Sequence, residues 1–372
     1  MLFTFLLALA ASPITIAVPF THQHRHQHGH RSSRPQHRGE LKVASATFLG
    51  DQKSDLPVVR DLGFVGKIGN TTIHTYGDTL SSVPGQFYMT SDSSSIGTDD
   101  PLFVRNTQRT EDGQHPTDMV SPHHNYSETN TTDAFGGTNV IPTSGKDGMM
   151  FFLKNHRPGG NNTIIGAGVA SVHLSHSRNV STERLCEYWW DGQAGEPWYG
   201  DIGGYSDSEY IYGYGHGGMG EGFNNHMHVY LNRVPISGWK ELSNWEYYDG
   251  STSTWSKNRI YNPTDKQALH WNDAEGPAWA VAQGQMVWSP YYNKILWVFT
   301  MAMNDAVFAR TADRPEGPWS KEVKLYDVKR KTEGSFVYCA VANPYFDESG
   351  RSVIVTVNNG ADCVQVTRVE FE

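Results

Sequence analysis

Residues 279–320 read WAVAQGQMVWSPYYNKILWVFTMAMNDAVFARTADRPEGPWS. Three runs rich in aliphatic and aromatic residues, Trp279–Val287, Ile295–Met301 and Ala306–Arg310, are separated by Tyr291–Lys294 and Asn304-Asp305 and closed by Gly317-Pro318-Trp319-Ser320. Short runs of this composition between turn residues read as strands. The spacing predicts a small antiparallel meander. The rhythm returns in Val337–Asn343, Ser352–Val357 and Cys363–Phe371, and earlier in Asp207–Tyr214, Met227–Val234 and Trp245–Asp249. Further short runs lie at Thr72–Tyr76, Met149–Leu153 and Ile164–Leu174. No segment offers a capped helical period of twelve or more residues. Meanders recurring about every 50 residues are the signature of a β-propeller. The expected fold is therefore all-β, a five-bladed β-propeller of antiparallel meander blades, with a pair of β-sandwiches as the alternative. Residues 81–147 and 256–276 are polar and read as long loops with poorly marked strands, the kind that shape the mouth of a funnel.

The chain has 372 residues, with aromatics at 12% and charged residues at only 19%. Few charges and many aromatics and glycines suit short strands rather than long helices. A net charge of −9 argues against a nucleic-acid partner, which needs a basic face. Leu2–Ala11 is apolar but too short to span a bilayer, and Thr15-Ile16-Ala17 offers small residues for cleavage before Val18. The expected organisation is a signal peptide over 1–17, a disordered His/Arg-rich segment over 18–45, and one propeller domain over 46–372. The alternating histidines from His22 to His30 and the neighbouring arginines suit a spacer or pro-segment, with adventitious metal binding as the sharper alternative. A secreted, monomeric protein with no membrane partner follows. Sequons at Asn70, Asn125, Asn130, Asn161 and Asn179 make glycosylation an expectation. Of Cys186, Cys339 and Cys363, the last two are the pair expected to form a disulfide, leaving one thiol free.

Particular residues carry a resemblance. Asp61-Leu62-Gly63 followed by Asn70-Thr71-Thr72-Ile73-His74-Thr75-Tyr76-Gly77-Asp78-Thr79 resembles the opening blade of secreted five-bladed propellers related to microbial endo-D-arabinanases. His228–Pro235 resembles a middle-blade strand of that family, and Arg310–Ser320 its penultimate blade. The resemblance implies a propeller fold and hydrolysis of furanosidic linkages by acidic residues. One departure stands out. Where the family has Gly-Glu-Met-Ser, this chain has Gly284-Gln285-Met286-Val287.

Glycoside hydrolysis needs two carboxyl groups across one bond. Asp61, just ahead of an inner strand, is the first candidate for base or nucleophile. Asp78, at the end of the adjoining strand, is the candidate for tuning or direct participation, because neighbouring carboxylates raise one another's pKa. Glu275 and Glu221 are further candidate acids, the latter in a glycine-rich run from Gly213 to Gly222 flanked by His216, His226 and His228. His74, Tyr76, Trp271 and Gln285 are candidate substrate contacts, since sugar rings stack on aromatic faces. Each has a plainer alternative: turn-holding carboxylates, packing between blades, or a flexible loop. No catalytic metal or cofactor is implied, although the funnel has room for a structural ion. The reading is a secreted carbohydrate-active protein, a glycoside hydrolase of a cell-wall or plant polysaccharide. The alternatives are a non-catalytic glycan-binding or surface-interaction propeller, which Gln285 favours, and a polysaccharide lyase.

Overall fold

The computed structural model describes residues 39–372 except 161, 218–226, 303 and 361–362. The expected signal peptide, most of the His/Arg-rich segment, Asn161, Glu221 and His226 lie outside the described residues. Among the described residues every helix is a three-residue 3₁₀ turn, and no helix is long and apolar enough to cross a membrane.

The strands order themselves as successive meanders. Val58–Ile68, Thr71–Ser81, Ser93–Gly97 and Phe103–Asn106 form the first, from inner to outer edge. In the second, Asp133–Gly137 and Ile141–Ser144 share the inner edge, followed by Asp147–His156, Thr163–Leu174 and Val180–Arg184. Trp198–Ser206, Tyr210–His216, Val229–Pro235 and Glu246–Asp249 make the third. The fourth runs Val281–Ser289, Lys294–Met301, Ala306–Ala312 and Val323–Asp327. The last runs Val337–Asn343, Ser352–Asn359 and Val364–Phe371, and its outermost strand is the N-terminal Val43–Asp51. A parallel bridge between Gly284 and Ala340 joins the last two meanders at their inner strands.

The sequence of the second strands explains why the sheets stack. In Lys294–Met301, side chains alternate between two different cores. Ile295, Trp297 and Phe299 pack with Tyr214, Leu231 and Trp271, whereas Leu296 and Val298 pack with Val355 and Val369. Successive strand residues point to opposite faces, so a strand apolar at every position belongs to a sheet covered on both sides. Similar cores join the first meander to the second, through Ile73, Phe152 and Val172, and the second to the third, through Phe151, Tyr199 and Tyr230. Phe64 and Val65 of the first meander meet Cys339 and Val341 of the last. Each sheet thus packs on the next and the last returns to the first, the closed arrangement of a β-propeller.

Ordered structure begins ahead of the boundary expected at residue 46. Leu41 is buried in the core of the last two meanders, and the pairing with the C-terminal strand starts at Val43 opposite Phe371. The expected disulfide does not form; Cys186, Cys339 and Cys363 are all free. Cys339 lies on the inner strand and Cys363 just ahead of the third, with Ser352–Asn359 between them. Strands are spaced by roughly 4.8 Å, so two spacings exceed the reach of a disulfide, about 7 Å between Cα atoms.

Gln285 is a tie within the ring. Its Oε1 accepts from the Val65 N–H at 3.0 Å and its Nε2 donates to the Val65 carbonyl at 2.6 Å, joining the inner strands of the fourth and first meanders. It is 3% exposed. Its amide is committed to the backbone of the first meander, and its side chain also lines a hollow of about 240 Å³. Gln285→Leu leaves a buried N–H and C=O unpaired. The expected loss is about 2–4 kcal/mol, read from the midpoint of chemical denaturation.

Candidate active site

Irregularities at the starts of the inner strands aim side chains at one end of the ring. Leu62 has φ of +62° and Gly63 of +110°, and the pairing with the next strand slips on both sides of Leu62. Cys339 has φ of +54°, with a slip between Tyr338 and Val341. Ala280, before the fourth inner strand, has φ of +64°. Bulges of this kind redirect the neighbouring side chain. Here the residues just ahead of two of them meet: the Tyr338 hydroxyl donates to Asp61 Oδ2 at 3.2 Å. The first bulge is held from across the ring by Asn358, whose Nδ2 donates to the Leu62 carbonyl at 2.6 Å.

Asp61 lies against the backbone of the adjoining strand. A Cβ on Gly77 would stand 2.3 Å from Asp61 Oδ1, so only glycine leaves room for the carboxyl. Oδ1 is buried against the backbone of Gly77 and Asp78. Burial, and then the charge of Asp78, push the Asp61 carboxyl up to about 7 against the opposing pull of Tyr338 and Arg157. Asp78 Oδ1 accepts from Arg157 Nη1 at 2.9 Å, and both side chains are about one-third exposed. Arg157 follows directly on the second strand of the second meander. It also walls a cavity of about 440 Å³ together with Phe87, Met89, Asp118, Thr132 and Asp133. Phe87 is 90% exposed at its rim.

A second buried carboxyl supports this end. Asp92 accepts from the backbone N–H groups of Met119 and Val120, each at 2.9 Å. Burial, with Asp118 and Asp78 nearby, raises it well above the usual carboxylate range. It fastens the long polar loop onto the first meander. Farther round the ring, His216 Nδ1 lies 2.6 Å from Asp201 Oδ2 and its Nε2 2.8 Å from the Val281 carbonyl. Burial lowers the His216 pKa, but Asp201 and the Val281 carbonyl outweigh it, so the pKa is raised.

The other expected site residues sit elsewhere. His74 and Tyr76 face the interface between the first and last meanders, stacked with ring centroids 6.3 Å apart. The Tyr76 hydroxyl donates to Gln52 at 2.7 Å, and the Arg60 guanidinium lies 4.5 Å over its ring. Trp271 is core, packed on Trp297 and Phe299 with Arg310 over its face at 4.2 Å. Glu275 accepts from Arg310 Nη2 at 2.7 Å and Asn272 Nδ2 at 2.9 Å. The arginine holds its carboxyl below the usual range, the opposite of what a general acid requires. Among the sequons, Asn70, Asn125, Asn130 and Asn179 are exposed. Sequence reading missed Tyr338 and Arg157. Topology was the available signal: second strands end at the mouth where inner strands begin, so Arg157 occupies in the second meander the place Asp78 marks in the first.

The chain belongs to the family described as a domain of unknown function (DUF5005), whose profile matches residues 90–368. No curated protein sequence matches it. Among solved structures, a protein of Bacteroides ovatus ATCC 8483, provisionally described as a hydrolase, superposes with a TM-score of 0.59 at 12% identity, covering 87% of this chain and 86% of that one. An exo-β-1,3-galactanase from Phanerochaete chrysosporium in complex with β-1,3-galactotriose superposes with a TM-score of 0.51 at 10% identity, covering 90% of this chain. This chain spans 64% of that enzyme's length. These likenesses show the fold.

The raised carboxyl has a consequence for stability. Between its ordinary 3.8 and its native value of about 7, folded Asp61 holds a proton that the unfolded chain releases. Stability conferred by that proton is complete at low pH and lost as pH rises through 7. Asp61→Asn should therefore melt several degrees above the wild type at pH 8, the gap narrowing at pH 5 and closing only below the ordinary carboxyl value of 3.8. Differential scanning calorimetry at the two pH values checks the sign.

Proposed function

We propose that this chain is a secreted, five-bladed β-propeller glycoside hydrolase acting on a cell-wall or plant polysaccharide. The observation that carries the proposal is the Asp61 carboxyl, raised to about 7 beside Asp78 at the mouth of the ring. A carboxyl poised near neutrality transfers protons efficiently at neutral pH. The fold shared with a galactan-cleaving enzyme supports the reaction class. The apolar first residues and the exposed sequons support secretion.

The charges assign roles within the pair. Asp61 is the group that holds a proton, so it donates to the glycosidic oxygen as the C–O bond breaks. Asp78, ion-paired to Arg157, is the carboxylate that faces the sugar or activates the water. This exchanges the base role expected for Asp61 from its position alone. The cavity beside Arg157 receives the sugar, with Phe87 at its rim. A silent glycan-binding propeller is the second reading. The observation favouring it is the clamping of Glu275 by Arg310, which removes the other described acid candidate.

On arabinan, arabinogalactan, β-1,3-galactan, fructan and uronate polymers, the wild type is expected to release reducing ends from at least one, and Asp61→Asn to lose at least 10³-fold in rate, on the order of 4 kcal/mol of barrier. Unchanged turnover in Asp61→Asn refutes the assignment, and products with unsaturated-uronate absorbance would indicate a lyase. The alkaline limb of the rate profile should fall near pH 7. Arg157→Gln removes a cation that holds the Asp61 carboxyl down. Its limb should move to higher pH as its maximal rate falls.

A further inference from the structure

The core between the first and last meanders is thin. One small cluster is Phe64, Val65, Cys339 and Val341, and another is Tyr76, Val104 and Val364. Beside them lies a cavity of about 390 Å³, within the range of small-molecule sites, roughly 300–1,000 Å³. Its walls include Lys67 and Thr72 from the hairpin that ends the first inner strand, and Asn343 from the end of the last. That is the end of the ring opposite Asp61, which precedes the bulge at the beginning of its strand.

Two polar side chains in this wall are more than nine-tenths buried and lack partners. His74 is 4% exposed and Thr356 is 3% exposed, and neither His74 Nδ1 nor Thr356 Oγ1 has a hydrogen-bond partner. Buried polar atoms left unpaired destabilise a fold, and both residues stand in the wall of this cavity. His74 is neutral, so one ring nitrogen donates and the other accepts, while a hydroxyl does both. Flat apolar faces stand beside them. Tyr345 is 40% exposed and Phe346 38%. Tyr345 also walls an adjoining hollow of about 240 Å³ at the same end, together with Trp288, which is 45% exposed. The charges are balanced, Lys67 and Arg178 against Asp99 and Asp100, and Lys67 Nζ sits 5.1 Å from the Tyr345 ring centroid. Neutral polar side chains beside exposed aromatic rings suit a neutral polyol. They do not suit an anion, which needs an uncompensated basic wall.

We infer that the end of the ring opposite Asp61 is a second, non-catalytic glycan-binding site for a neutral, hydroxyl-rich sugar segment, seated between His74 and Thr356 and stacked on Tyr345 and Trp288. The choice of ligand class rests on reading the chain as carbohydrate-active, but the site does not depend on the chemistry at Asp61. Its use is to hold a polymer while the far mouth works on it. Asn70 stands on the same rim, so a chain attached at that sequon would compete with a bound glycan.

The test is affinity electrophoresis of the full chain, made in a host without N-glycosylation, in gels containing soluble arabinan, arabinogalactan or β-1,3-galactan. Asp61→Asn serves as the parent, so that the polymer stays intact. The parent should be retarded by at least one polymer. Tyr345→Ala and Trp288→Ala should each weaken retardation at least tenfold. Thr356→Val should weaken it while its melting temperature stays level or rises, because the variant removes an unpaired hydroxyl. With Asp61 intact, Tyr345→Ala should cleave a short soluble substrate as fast as wild type. Retardation of Tyr345→Ala and Trp288→Ala equal to the parent's overturns the inference, as does a parent retarded by none of the polymers. Retardation without turnover by the wild type would refute the hydrolase reading and leave this site standing.

Discussion

A ring of stacked sheets stays shut only if its first and last members are fastened. Three devices do this here. The N-terminal strand Val43–Asp51 becomes the outer edge of the last meander. Asn358 reaches from that meander to the carbonyl of Leu62. Phe64 and Val65 pack on Cys339 and Val341. The Tyr338–Asp61 hydrogen bond crosses the same seam. Closure therefore does more than stabilise: it brings a phenol from one end of the chain against a carboxyl from the other. Without it Asp61 would be an ordinary exposed acid.

The seam is also where the molecule accepts cost. Asp61 is a buried carboxyl, Leu62 and Cys339 hold positive φ, and the apolar contacts between these two meanders are the sparsest of the ring. Non-glycine residues with positive φ store strain of roughly 1–3 kcal/mol each. The thick aromatic core between the third and fourth meanders, with Tyr214, Trp271, Trp297 and Trp319, supplies cohesion that the seam lacks. Strain and a buried carboxyl thus gather at the joint, while rigidity is held on the far side of the ring.

Much of the fold was legible. Lys294–Met301 and Ser352–Asn359 are apolar at nearly every position, which marks strands covered on both faces. Other strands were hidden because their burial is polar. Ser93–Gly97 reads as loop, yet Ser93 shares a hydrogen bond with Thr79 at 2.8 Å and Ser95 accepts from Arg60 at 2.8 Å, so the hydroxyls replace apolar packing. Asp61 and Asp78 were readable as neighbours on paired strands, although both lie within those strands rather than at their ends. Tyr338 and Arg157 were not, because each owes its place to another sheet. The tie made by Gln285 was hidden for the same reason: its amide completes the backbone of a strand far away in sequence. The cysteine pairing failed because nearness in sequence says nothing about the strand that intervenes.

The pairing of the two chain ends carries a temporal consequence. Ser45 bonds Glu370 across 325 residues of sequence. A ribosome delivers the first of these strands long before the second exists, and contacts between such remote positions slow folding. Until the last residues emerge, Val43–Asp51 has no sheet to join and the inner strands have no completed circle. The propeller therefore cannot close blade by blade as it is made; its final cooperative step waits until Val364–Phe371 is available to pair with Val43–Asp51.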